Sequence, residues 1–183
     1  MAAPRVLTIG DSVMASTATR YTNDMCKALV PLGWQVEVEA ETGRFVDFGT
    51  KVLKRRWAAG WDVVVILLGN NYMEFQSGYR KELDSIISSI EPNPVILLTV
   101  TEFKKSRRRV NEVIREMATT HKNVTVVEPA NLYSCTIGDD CFVGPFTQPQ
   151  RPCCRLLVGP LRGNVRNGNQ AEIGIRLANR QSI

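Results

Sequence analysis

Near the start of the chain a serine stands where a hydroxyl can do chemistry. Val6-Leu7-Thr8-Ile9 runs into Gly10-Asp11-Ser12. The apolar and β-branched run reads as a buried strand, and Gly-Asp-Ser as the tight turn that ends it. A serine at the carboxyl end of a first strand, followed by a helical pattern, is a candidate nucleophile for an acyl carbon. The same residues also read as an ordinary strand-to-helix turn in which Asp11 or Ser12 caps the next helix. Two later strand ends add residues suited to acyl chemistry. Gly43 lies in the turn Thr42-Gly43-Arg44, where the missing Cβ lets a backbone N–H approach a ligand closely. Asn71 ends Gly69-Asn70-Asn71, and its side-chain amide can donate to a developing oxyanion. The N–H groups of Ser12 and Gly43 with the amide of Asn71 would form a three-donor oxyanion hole. Singly, each has a plain reading as a turn serine, a turn glycine and a capping asparagine. Their neighbours Asp11, Asn70 and Tyr72 are read as substrate-contacting residues.

The elements that must position these residues follow from periodicity. Strands are expected at about Arg5–Ile9, Gln35–Ala40, Asp62–Leu68, Val95–Val100 and Asn123–Val127. The third is a continuous β-branched and apolar run, as a central parallel strand covered on both faces requires. Helical spacing is expected over Ala15–Leu32, with Met25, Ala28, Leu29 and Leu32 on one face and Gly33 closing it. Three more helices are expected: Phe45–Ala59, Tyr79–Ile90 and Ser106–Thr120. Their inward residues are Val46, Val52, Leu53 and Trp57; Leu83, Ile86, Ile87 and Ile90; and Val110, Val113, Ile114 and Met117. Strands alternating with helices through five units define a doubly wound, mostly parallel, three-layer α/β/α sheet.

Composition bounds the function classes. A chain of 183 residues with 44% hydrophobic and 22% charged residues suits one globular domain, taken as residues 1–183. No apolar segment approaches the ~20 residues of a membrane span. No charged-then-apolar leader pattern opens the chain, so a cytoplasmic location is expected. The net charge of +5 is modest and concentrates in Lys51–Arg56 and Lys104–Arg109. Such runs are usually solvated faces, so nucleic acid is not the expected partner. Five cysteines fit no clean disulfide framework. Cys26 reads as a core residue. Cys135, Cys141, Cys153 and Cys154 lack Cys-x-x-Cys spacing, so no metal site is expected.

With these residues in place the chain resembles the SGNH, or GDSL-like, hydrolases over roughly residues 4–130. Gly10-Asp11-Ser12 resembles the first block of that family and Gly43 the glycine of the second. Gly69-Asn70-Asn71 resembles the third, Gly-x-Asn-Asp, with Asn71 at the oxyanion position and Tyr72 replacing the aspartate. The resemblance implies a flavodoxin-like sheet and ester hydrolysis, or the related acyl transfer, on a small acyl substrate, with no cofactor. It also implies an Asp-x-x-His block before a C-terminal helix, supplying a general base and its orienting carboxylate.

That block is not found. Gly163-Asn164-Val165-Arg166 falls where it is expected if the last helix spans about 169–181, and arginine cannot act as a base at neutral pH. Asp139-Asp140 could supply a carboxylate but no imidazole. His121 is the one histidine. It precedes the fifth strand, ~17 Å of strand away from the serine end, and reads as an exposed loop residue. Residues 134–165 lose all period and fit an insertion or an altered reading frame, though Ile137–Phe146 locally resembles a hexapeptide repeat. The expected function is a serine ester hydrolase impaired by the missing base. The alternative is a non-catalytic relative that binds an acylated or carbohydrate ligand.

Overall fold

The computed structural model describes residues 2–72, 78–102 and 104–128. The expectations for the four tail cysteines, Asp139-Asp140, Gly163–Arg166 and the helix at 169–181 lie outside the described residues. Five strands form one parallel sheet: β1 Arg5–Gly10, β2 Gln35–Ala40, β3 Val63–Leu67, β4 Val95–Leu98 and β5 Val124–Val127. Their order is β2-β1-β3-β4-β5. Helices α1 Ser12–Ala15 and α2 Asp24–Leu29 link β1 to β2. The later connections run through α3 Asp47–Arg56, α4 Tyr79–Ile90 and α5 Lys105–Thr120. The chain steps one way from β1 to β2 and the other way from β2 onward. Right-handed crossovers then put α1 and α2 on one face and α3, α4 and α5 on the other. This is the three-layer α/β/α arrangement that the alternation of elements predicts.

The sheet forms because its central strands are apolar on both faces. All five residues of β3 are buried, and so are Val6, Leu7 and Ile9 of β1. Leu83, Ile86, Ile87 and Ile90 of α4 lie at helical spacing and are at most 1% exposed. Val110, Ile114 and Met117 form the corresponding stripe on α5. Cys26 is buried as expected. No helix among the described residues is long and apolar enough to cross a membrane.

The segment 15–32 departs from expectation. It is not one helix: α1 starts three residues earlier, at Ser12, and ends at Ala15, and the helix resumes only at Asp24. The polar residues between supply the break. The hydroxyls of Ser16, Thr17 and Thr22 donate to the carbonyls of Val13, Met14 and Ser16. Asn23 takes the left-handed conformation at φ 60°. Local side-chain bonds of this kind compete with helix propagation. Leu32, expected to face inward, is 71% exposed in the 3-10 turn Val30–Leu32, and Ala28 is also exposed.

The two basic runs do not merge. α3 and α5 share one layer and run in the same direction. The Lys51–Arg56 run ends α3, whereas Lys104–Arg109 opens α5, so they sit at opposite ends with α4 between. The first run is also largely neutralised. Arg56 pairs with Glu39 and Glu37, Arg55 with Glu39, and Lys51 with Asp47.

Candidate active site

The strand order reverses between β1 and β3, and ligands in such sheets bind at the carboxyl ends beside that reversal. Ser12 follows β1 there and Asn71 follows β3. The turn after β1 is tightly made. A Cβ on Gly10 would lie 2.2 Å from Met14 Cβ, so only glycine lets the chain fold back into α1 at this point. The Asp11 N–H donates to the Leu67 carbonyl at 3.1 Å, joining the turn to β3. Ser12 is the half-buried first residue of α1, and Asp11 caps the helix by accepting the Val13 N–H at 3.1 Å.

Asp11, read from the sequence as a substrate-contacting residue, is 0% exposed, and its carboxylate faces into the protein. One oxygen accepts from Val13 and the other from the Asn70 N–H at 3.1 Å. The Asn70 side-chain amide adds bonds at 3.0 and 3.2 Å. A single carboxylate therefore ties the serine turn to the loop after β3. Burial pushes its pKa up, and the bonds from Val13 and Asn70 oppose that shift. Asn70 is likewise committed to Asp11, which makes it a strut for the loop.

The second strand end joins the same cluster. The Glu41 N–H donates to the Gly10 carbonyl at 3.2 Å. Gly43 is exposed, with φ +74°. The Asn71 amide nitrogen donates to the Arg44 carbonyl at 3.1 Å, directly after Gly43. An amide nitrogen carries two hydrogens, so a second is left for a ligand. Tyr72 is half-buried and packs edge-on against Tyr79, ring centroids 5.6 Å apart. The structure thus brings Ser12, Gly43 and Asn71 to one end of the sheet, as their spacing predicts.

His121 belongs to the other end. It caps α5, just before β5, and so lies at the amino end of the sheet. It is not an exposed loop residue: its side chain is only 8% exposed. Nδ1 lies 2.9 Å from a Glu91 carboxylate oxygen and Nε2 2.8 Å from an Asp84 oxygen. The bond to Glu91 raises its pKa, burial opposes this, and Asp84 adds to the rise. With both ring nitrogens held there, His121 is no base for Ser12.

The sequence reading passes over three residues that shape this site. Tyr79 donates to the Leu68 carbonyl at 2.7 Å. Asn111 bonds both the N–H and the carbonyl of Val100 at 2.8 Å. Arg107 is 6% exposed and donates to the Tyr72 carbonyl. A signal for Arg107 was present: it stands three residues before Val110 and seven before Ile114, on the apolar stripe of α5. Among the described residues, no group of three or more His, Cys, Asp or Glu side chains could hold a metal ion.

Comparison with solved structures agrees with the topology. The catalytic domain of the Streptococcus pneumoniae peptidoglycan O-acetyltransferase A superposes with a TM-score of 0.53 at 23% identity, over 70% of each chain. A G-D-S-L family protein of Desulfitobacterium hafniense gives 0.54 at 18%, covering 68% of this chain and 76% of its own. A Clostridium thermocellum family 3 carbohydrate esterase gives 0.53 at 14%, covering 68% and 77%. No protein-family model matches the chain, and no curated protein is significantly similar to it. The fold is a three-layer α/β/α sandwich around a parallel sheet. More narrowly, it is the SGNH, or GDSL-like, hydrolase fold.

Proposed function

We propose that this chain is a serine esterase for small acyl esters, with Ser12 as nucleophile. The observation that carries this reading is the linkage at the carboxyl end of the sheet. Asp11 joins the serine turn to Asn70, and Asn71 is bonded beside Gly43. Ser12 Oγ would bond to the acyl carbon while the carbonyl electron pair moves to oxygen. The N–H groups of Ser12 and Gly43 and the second amide hydrogen of Asn71 would receive that charge. The alkoxide leaves, and water releases the acyl group from Ser12. The serine proton passes to solvent water, which returns a proton to the departing alkoxide. Carboxylates described at this end are engaged, among them Asp11 with Asn70, Glu41 with Arg44, Glu102 with Asn111, Asp47 with Lys51, Glu82 with Thr50 and Glu128 with Arg115. Turnover is therefore expected to be slow, since a serine without its base is a weak nucleophile. The placement of His121 at the far end favours a second reading, in which the same strand-end site binds an acylated or carbohydrate ligand without turning it over.

A short-chain aryl ester separates the two. In the esterase reading, the native chain hydrolyses it at least ~10-fold faster than Ser12→Ala, and mass spectrometry finds the acyl group on Ser12. Equal rates and an unmodified Ser12 sink the esterase reading and leave the binding one.

A further inference from the structure

A buried guanidinium stands behind the loop that carries Asn71. Arg107 lies in the first turn of α5 and is 6% exposed, although it belongs to the most basic run of the chain. A cation is placed so deep only where partners compensate its lost hydration. Its Nη1 donates to the Tyr72 carbonyl at 2.6 Å. A charged donor in a low-dielectric setting makes a stronger bond than a neutral one. Burial lowers the Arg107 pKa, and the nearby Asp11 carboxylate opposes that shift.

The other restraints on residues 69–72 come from different directions. Asp11 holds Asn70 from the serine side, and the Arg44 carbonyl holds the Asn71 amide from the β2 side. The Tyr72 N–H turns back onto the Gly69 carbonyl at 3.0 Å. Beneath, Gly69 sits at φ +142° against Val110, Tyr79 and Val100, and a Cβ there would meet Val110 Cγ1 at 2.6 Å. These contacts fix the entry and the middle of the loop. The bond from Arg107 restrains Tyr72.

We propose that Arg107 is a positioning residue: by holding the Tyr72 carbonyl it restrains residues 69–72 and keeps the Asn71 amide in place beside Gly43. It touches no substrate and acts through the loop. The catalytic part of this inference rests on Ser12 and Asn71 serving as read above; the restraint itself does not.

The test compares Arg107→Met and Arg107→Lys with the native chain and with Arg109→Met, which alters an exposed residue of the same run. Two quantities are read: amide hydrogen exchange, and kcat and KM on the aryl ester. Arg107→Met is expected to leave exchange in β1 and β3 unchanged while the Asn70 and Tyr72 amides exchange ~10-fold faster. Its kcat is expected to fall ~10- to 100-fold with KM within about twofold, because misplacement by an ångström is costly in the transition state. Arg107→Lys keeps the charge and one donor and should fall between; if the Met variant does not fold, it carries the test alone. Arg109→Met should match the native chain. Native-like exchange in the loop, or protection lost equally in every strand, overturns the proposal. If Ser12→Ala equals the native chain in turnover, the esterase reading fails, and the exchange data alone decide the restraint.

Discussion

The Asp11 carboxylate accepts from Val13 on one oxygen and from the Asn70 N–H on the other, with the Asn70 amide shared between them. Asp11→Asn keeps the shape but turns one acceptor into a donor facing other donors. A buried polar group left unmatched costs about 1–3 kcal/mol, so denaturant unfolding of Asp11→Asn should show a loss of that size. Asn71→Ala tests the donor instead. Removing one oxyanion donor lowers kcat by about 10²–10³ in enzymes of this chemistry, and here that loss should come without a matching change in stability. At this scale the placement of Ser12, Gly43 and Asn71 at strand ends was legible, because each follows an apolar or alternating strand pattern. It was illegible for Asp11, whose inward rotation depends on Asn70, 59 positions away. It was illegible for His121 too, because its partners Asp84 and Glu91 lie on a helix 30 or more residues earlier.

His121 also acts between elements, since it fastens the end of α5 to α4 through Asp84 and Glu91. Its folded pKa lies above the ordinary 6.5. The stabilisation is therefore fully present below about pH 6.5 and is lost as pH rises through the folded value. Melting temperatures of the native chain should decline relative to His121→Gln over that interval, and the two profiles should run parallel at higher pH. Gly69 is the other junction, where α5 presses on the end of β3. Gly69→Ala meets both a φ of +142° and a 2.6 Å contact with Val110. Strain and overpacking each cost about 1–3 kcal/mol, and a melting curve should show a loss within or above that range. Elements with strong periods, such as β3 and α4, were readable because their burial is continuous or strictly one-sided. The single helix expected over 15–32 failed because its apolar spacing outweighed Ser16, Thr17, Thr22 and Asn23, whose side chains and backbone end α1 early.

For the whole molecule, the placement of the basic runs sets an expectation about polyanions. They occupy opposite ends of one helical layer, and Arg55 and Arg56 are paired to β2 carboxylates. Binding to a duplex oligonucleotide should therefore be weak, and its salt dependence shallow; a steep decline of affinity with salt would contradict this placement.

The linkage between Asp11 and Asn70 has a consequence in time. Strand β1 pairs with β3 as well as β2, and its last residue aligns with Leu67. During synthesis the serine turn emerges long before its partner loop exists. No nascent fragment shorter than the β3 strand end can hold the donor array, whatever local helix it forms. Non-local parallel pairing is slow to close, so acquisition of the site should lag behind helix formation during refolding and coincide with completion of the central strand pair. The strand-end cluster is therefore expected to form only after β3 has paired with β1.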